Sequence, residues 1–273
     1  MSILGEGGRK PNEQYLTIWS FSRVATLSER RINGLMTQDS KDIINDIHEE
    51  LEELSLVCIE EIENRQFSRK SKLPFKLATF VYAMSWRMKE CSDGALKLIE
   101  SGFVHSALML IRSSLENASI LYYARKVVEE AVTAETLPED TNDKLMSLRF
   151  ANKYWEDERS EHDTEYRAKT VKFYNDLMDA EYPGVARYYH TLCEFVHTNS
   201  DGVGQSFSFL DEEHHKTFFG PQLNEDHIMF PAFVITLQLA LHIFNSQIHY
   251  IDDHFVEFIE KCDKDIDRKY SKK

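Results

Sequence analysis

The sequence predicts an all-α fold: a helical bundle of about six or seven helices, with a small β-hairpin before the last long helix. Three observations carry that expectation. Only 10 Gly and 6 Pro occur in 273 residues, a composition of helices rather than of turn-dense β-structure. Apolar residues recur at steps of three and four along several stretches. One glycine-bearing stretch, residues 197–209, instead alternates Ser with Phe at its end.

Residues 1–38 hold no sustained period and are expected to form an arm or short helix packed on one bundle domain over 39–265, followed by a charged tail over 266–273. From Asp42, the series Ile44, Ile47, Leu51, Leu54 and Cys58 predicts a helix ending near Arg65, with a solvated, Glu-rich outer face. Pro74 suits the first turn of a second helix, whose seam is Leu77, Val81, Met84, Met88, Cys91, Ala95 and Leu98. Gly94 is a point of interruption there and Gly102 the stop.

A third helix begins near Phe103 with the seam Val104, Leu108, Ile111, Leu115, Ala118 and Tyr122; residues 136–143, TLPEDTND, break the pattern. Trp155 to Asp179 reads as one charged helix with Val171 and Tyr174 inward. Pro183 opens another through Val185, Tyr188, Leu192 and Phe195, ending near His197. Gly202 and Gly204 then mark a loop into a short strand that pairs with Lys216 to Phe219. The last helix has Pro231 in its first turn and the seam Val234, Leu237, Leu241, Phe244, Ile248, Ile251, Phe255 and Phe258.

Charge narrows the partners. With 32 Lys and Arg against 46 Asp and Glu, a formal charge of -14 sets a field that repels phosphate backbones and anionic membranes, so duplex DNA and membranes are not expected partners. Cys58, Cys91, Cys193 and Cys262 form no C-x-x-C pair and read as reduced thiols. The first residues lack a secretion pattern, and the apolar stretch from Phe230 to Phe244 is interrupted by Gln238 and His242. A cytoplasmic setting is expected, with no cofactor.

Three polar stripes could carry chemistry. Arg187, His190, Glu194 and His197 follow one another at steps of three, four and three, so they share a helix face. A histidine there could act as general acid or base, with Glu194 orienting it and Arg187 holding a phosphate or carboxylate; an exposed, salt-bridged face is the bland alternative. Gln238, His242, Asn245, His249 and Asp252 run at steps of four and three on the last helix, facing either water or a polar cavity. Asn199, His242, Asn245 and His249 are the candidate ligand-binding residues. Arg112 and Glu116 stand at i and i+4 within the apolar run LMLIRSSLENASILYY, as a structural pair or as the electrophilic group of a site.

Glu194 and His197 also form an E-x-x-H, the spacing of di-iron carboxylate bundles, and Glu116 could add a carboxylate. The other instance, Glu212 to His215, lies in a turn-rich segment. His190 and His197 are two helical turns apart, roughly 10 Å, so one ion cannot take both; no metal ligand set is assigned, and a carboxylate/histidine metal-binding bundle, carried by Glu194 with one adjacent histidine, stays an alternative.

The segments Arg112-Ser113-Ser114-Leu115-Glu116-Asn117 and Leu192-Cys193-Glu194-Phe195-Val196-His197-Thr198-Asn199-Ser200 together resemble a family of all-helical bacterial and phage proteins related to the HEPN superfamily. The resemblance spans roughly Leu77 to Phe255. It implies a helical bundle, often a homodimer, and in the catalytic branch a metal-independent ribonuclease of stress or phage-defence systems, with RNA or a nucleotide as partner. That branch uses an R-x4-6-H motif at the dimer interface. Here Thr191, Leu192 and Cys193 stand where its arginine would precede His197, so Arg112 or Arg187 would supply the cation.

Three functions follow. In the first, His197, assisted by Glu194, takes a proton from an RNA 2′-hydroxyl while Arg112 or Arg187 stabilises the phosphorane and His190 serves as acid. In the second, the protein is a non-catalytic module that senses a small anion or packs against a partner. In the third, the stripes are solvated faces of a structural helical protein.

Overall fold

In a computed structural model of the chain, the residues described are 40–63, 67–150 and 169–271. The expected N-terminal arm, and the part of the charged helix expected over 155–168, lie outside them. The elements are α1 (Ser40–Leu56), α2 (Leu73–Glu100), α3 (Val104–Thr133), α4 (Thr141–Phe150), α5 (Val171–Asp179), α6 (Val185–Val196), a π-helical turn (Ser200–Gln205), β1 (Ser208–Asp211), β2 (Lys216–Phe219) and α7 (Phe230–Ser271).

The two longest seams meet each other. Val104, Leu108, Ile111, Leu115, Ala118 and Tyr122 of α3, and Val234, Leu237, Leu241, Phe244 and Ile251 of α7, are all buried. Around this α3–α7 pair, α2, α4, α5 and α6 pack on α3, and α1 packs on α7 and α2. A fully buried aliphatic or aromatic side chain is worth about 1.5–3 kcal/mol, so this pair dominates the core.

The end of α2 has a local stop. Gly102, at φ +79°, closes α2; its N–H bonds to Ile99 O at 2.9 Å while Phe103 N–H bonds to Leu98 O at 2.8 Å. Only glycine adopts that left-handed conformation without strain. Gly94 does not interrupt α2, because it lies where Leu110 of α3 approaches: an added Cβ would fall 2.9 Å from Leu110 Cδ1. The first helix ends at Leu56, well before Arg65.

α4 begins inside the stretch that reads as a breaker, with Leu137 and Leu145 buried on the core. The charged helix expected to run through to Asp179 has a start at Val171 instead. Thr170 is extended (ψ 150°) and its hydroxyl accepts the Phe173 N–H, an N-cap. Asp179 Oδ1 accepts from Gly184 N and Ala186 N at 2.9 and 3.0 Å, capping α6.

The expected hairpin forms in the register Ser208↔Phe219 to Asp211↔Lys216. The preceding loop is a π-turn, with Asn199 Oδ1 accepting from Asp201 N and Gly202 N. Gly202 sits against the end of α6, where a Cβ would lie 1.7 Å from His197 O. Residues expected as a charged tail extend α7 through Ser271. Ser68 bonds Asp263 at 2.6 Å, Lys70 bonds Asp267 at 2.7 Å, and Asp265 takes both Arg268 and Lys269.

Candidate functional site

In the stripe on α7, Gln238 and Asn245 are buried and His242 is half-buried, while His249 and Asp252 are exposed. The stripe lies against an acidic line on α1, so that helix's Glu-rich side is only partly solvated. Gln238 Nε2 donates to Asp46 Oδ2 at 2.8 Å. His242 Nδ1 lies 3.0 Å from Glu50 Oε1, and Asn245 Nδ2 donates to Glu50 Oε2 at 2.7 Å and to its backbone carbonyl at 3.1 Å. His249 Nε2 lies 2.7 Å from Glu53 Oε1.

Asp46, Glu50 and Glu53 repeat the four–three step of their partners, so two helices present matching polar lines. The amide oxygens of Gln238 and Asn245 are buried with no hydrogen-bond partner, at about 1–3 kcal/mol each. Four buried apolar residues of α1, Ile43, Ile47, Leu51 and Leu54, outweigh that at about 1.5–3 kcal/mol apiece. Apolar burial therefore attaches α1, and the polar line fixes its register. His242, Asn245 and His249 are committed to this seam, and Asn199 to the π-turn.

The stripe on α6 is the reverse case. Arg187, His190, Glu194 and His197 are all exposed on the outer face. Glu194 Oε2 accepts from Asn199 Nδ2 at 2.6 Å, so it braces the π-turn rather than orienting a histidine. His190 packs its ring edge-on against Tyr189 at 6.0 Å. His197 is the C-cap of α6.

The third stripe, on α3, meets α6 through a residue that the spacing did not single out. Arg112 Nε donates to Glu116 Oε1 at 3.1 Å, and Arg112 Nη2 donates to the Tyr189 hydroxyl oxygen at 3.1 Å. Tyr189 in turn donates to Glu116 Oε1 at 3.0 Å. Burial, with the Glu116 carboxylate second, pushes the Tyr189 phenol up to about 12, so it stays a neutral donor. The side chains of Arg112 and Glu116 are 26% and 18% exposed. This closed triangle joins α3 to α6 with its charges balanced, and Asn117 lies on the buried side beside the Cys91 thiol.

A second cation cluster went unread because its members are scattered along the chain. Arg125 lies 4.2 Å from the centre of the Tyr250 ring and pairs with Glu129 and Glu181 at 3.1 and 3.2 Å. Tyr122 donates to the same Glu181 oxygen at 2.9 Å, and burial followed by that carboxylate pushes its phenol well above the ordinary range. Glu181 sits in the turn between α5 and α6, where no periodicity marks it.

Arg112 and Glu116 are thus brought together with Tyr189, while His190 and His197 are held on the outer face of α6. The E-x-x-H alternative finds no second half: His214 is held by Asp211 at 2.9 Å on the hairpin turn. Among the described residues, no three His, Cys, Asp or Glu side chains gather as a metal ion would require. Nor is any described helix long and apolar enough to cross a membrane.

Beyond the polar stripes, the most unusual surface is the hairpin. Leu210, Phe218 and Phe219 are 56%, 51% and 83% exposed, and Phe207 and Phe209 are also open. No family model, no curated protein and no solved structure matches this chain.

Proposed function

We propose that the protein is a non-catalytic interaction module that engages a partner protein through its aromatic hairpin. The observation that carries this reading is the density of exposed apolar side chains within residues 207–219. Large contiguous apolar surface on a soluble bundle marks a site of association. The polar groups support it from the other side. Arg112 is already neutralised by Glu116 and Tyr189, which makes it a poor trap for a small anion, and the α7 histidines are paired with α1. A cytoplasmic setting, with its four thiols reduced, belongs to the same proposal.

A second reading, RNA cleavage, is favoured by one observation: Arg187, His190 and His197 stand together on the exposed face of α6. It follows the HEPN-like resemblance and places the chemistry where an incoming strand could reach it. The two readings separate in one assay. The purified protein and its His197→Ala form are incubated with a mixed RNA pool in the presence of chelator, and fragment ends are mapped. The module reading expects no fragments from either. Cleavage by the wild type that is lost in His197→Ala overturns it.

A further inference from the structure

We infer that the segment from Phe207 to Met229, which carries the hairpin, is a pH-sensitive strap: two neutral imidazoles, His105 and His227, hold its ends to the bundle, and acid releases them. This rests on the interaction-module reading and names a regulation of that surface.

The strands give the strap little hold of their own. Every residue of β2 is exposed, and β1 packs on β2 and on the π-turn. The ends therefore fix the hairpin against the helices. At the entry, the Phe207 ring sits edge-on to His105 of α3, 4.8 Å between centres. The Phe207 carbonyl accepts the Gly220 N–H at 2.9 Å, which ties the returning strand to the same point. At the exit, His227 Nδ1 accepts the Met229 N–H at 3.2 Å, and its carbonyl accepts the Phe230 N–H at 2.8 Å. The His227 ring lies edge-on to Phe195 of α6, 6.4 Å between centres.

Both clasps need the uncharged ring. A ring nitrogen that accepts a backbone N–H has its lone pair in use, so a proton on His227 Nδ1 breaks that bond. The same proton puts a cation at the start of α7, the positive end of the helix dipole. His105 Nδ1 is buried with no hydrogen-bond partner; protonated, it becomes a charged N–H with no acceptor. Attraction of an imidazolium to the Phe207 ring does not replace that acceptor, because bonds to charged groups are the costlier to leave unmade.

Among the described residues, the groups that face the two rings are uncharged: Phe207 across His105, and Phe195 with the Met229 N–H across His227. Along the chain, Glu100 and Arg112 flank His105, and Glu225 and Asp226 precede His227, yet burial is the sole cause that lowers either ring. Asp211 and His214 face each other at the hairpin turn. With both native values below the ordinary 6.5, the closed strap binds fewer protons than the open one. Closure is therefore complete above about 6.5 and weakens as pH falls toward the native values. The hydroxyls of Ser206 and Ser208, bonded to carbonyls of the π-turn at 2.7 and 2.6 Å, do not titrate. Acid thus frees the hairpin from α3 and from the start of α7 without unfolding the bundle, and a partner that then binds must first order it.

The test is backbone amide exchange of the full chain by NMR, corrected for intrinsic rates, from pH 7.5 to about pH 5. It compares the wild type with His105→Phe, His227→Asn and the double variant. His105→Phe keeps a ring against Phe207, His227→Asn keeps an acceptor near the place of Nδ1, and neither titrates. Below 6.5, wild-type protection of the Gly220 and Met229 amides should fall by up to about a hundredfold per pH unit, for two linked protons. The Leu115 and Leu241 amides, in α3 and α7, should keep theirs. Each single variant should reduce the slope to about tenfold per unit, and the double variant should abolish it. Where a variant fails to fold, the wild-type imidazole resonances decide: both must titrate below 6.5, and titration at or above it overturns the inference. So does a wild-type slope no steeper than that of the double variant. So does loss of Leu115 and Leu241 protection in step with Gly220 and Met229, which is unfolding rather than release. The module reading fails separately, by RNA cleavage that is lost in His197→Ala. A strap that opens in a protein that cleaves RNA keeps the switch and removes that reading; a strap indifferent to pH in a protein that cleaves none does the reverse.

Discussion

The polar stripes of α6 and α7 look alike in the sequence and end in opposite places. Each lines up beside an apolar seam at steps of three and four, and each contains two histidines. On α7 Asp46, Glu50 and Glu53 of α1 bond Gln238, His242, Asn245 and His249, and the first three of these are at least half-buried, while His249 and Asp252 stay exposed. On α6 the four side chains of the line are exposed, with Glu194 bonded to Asn199 of the π-turn. Helical spacing says which residues share a face; a second surface, distant in sequence, decides what that face meets.

Substitutions should divide along the same line. The largest effect is expected for Glu50→Ala, which removes the carboxylate that bonds both His242 and Asn245 and leaves the buried Asn245 amide with just the backbone carbonyl of position 50. A loss of about 3 kcal/mol should appear in urea unfolding, and a loss no larger than that of Glu194→Ala would break the comparison. Tyr189→Phe should cost about 1 kcal/mol in the same measurement, because it opens the triangle between α3 and α6 while leaving the Arg112–Glu116 pair.

Acidification should act through two half-buried histidines. Burial lowers His227, whose Nδ1 accepts the Met229 N–H at 3.2 Å just before α7, and it lowers His105. Both are held neutral in the fold, so below about 6.5, the ordinary value, the unfolded chain binds more protons than the native one. Stability should therefore fall as pH drops from there toward the lowered native values and level off beneath them. Thermal midpoints from pH 8 to about pH 5 will show it, and His227→Gln should flatten the slope. The smallest change is expected for His190→Ala and His197→Ala, each within about 0.5 kcal/mol; a clear destabilisation by either would mean that the α6 face is not free.

Much of the fold was legible because it follows local rules. The seams of α3 and α7 are buried where their spacing put them, Gly102 stops α2, and the strand pairing stands as expected. The misses have local causes too. Thr170 caps a short α5 within a run of charges that reads as one helix, and α4 starts among turn-forming residues because Leu137 and Leu145 dock on the core. Of the candidate site, Arg112 with Glu116 was visible as an i and i+4 pair. Tyr189 was not, since only the packing of α6 on α3 brings its hydroxyl to them. Glu181 and Tyr250, around Arg125, carried no periodic signal at all.

The sequence by itself determined the helices, their apolar faces and the polar lines beside them, since these depend on neighbours within a few residues. Tertiary structure alone decided that Glu50 meets His242 and Asn245 across more than 190 positions, that Tyr189 closes the Arg112 triangle, and that every residue of β2 stands exposed. Those outcomes depend on which of several similar surfaces fit together, a competition among long-range contacts that no single helix records.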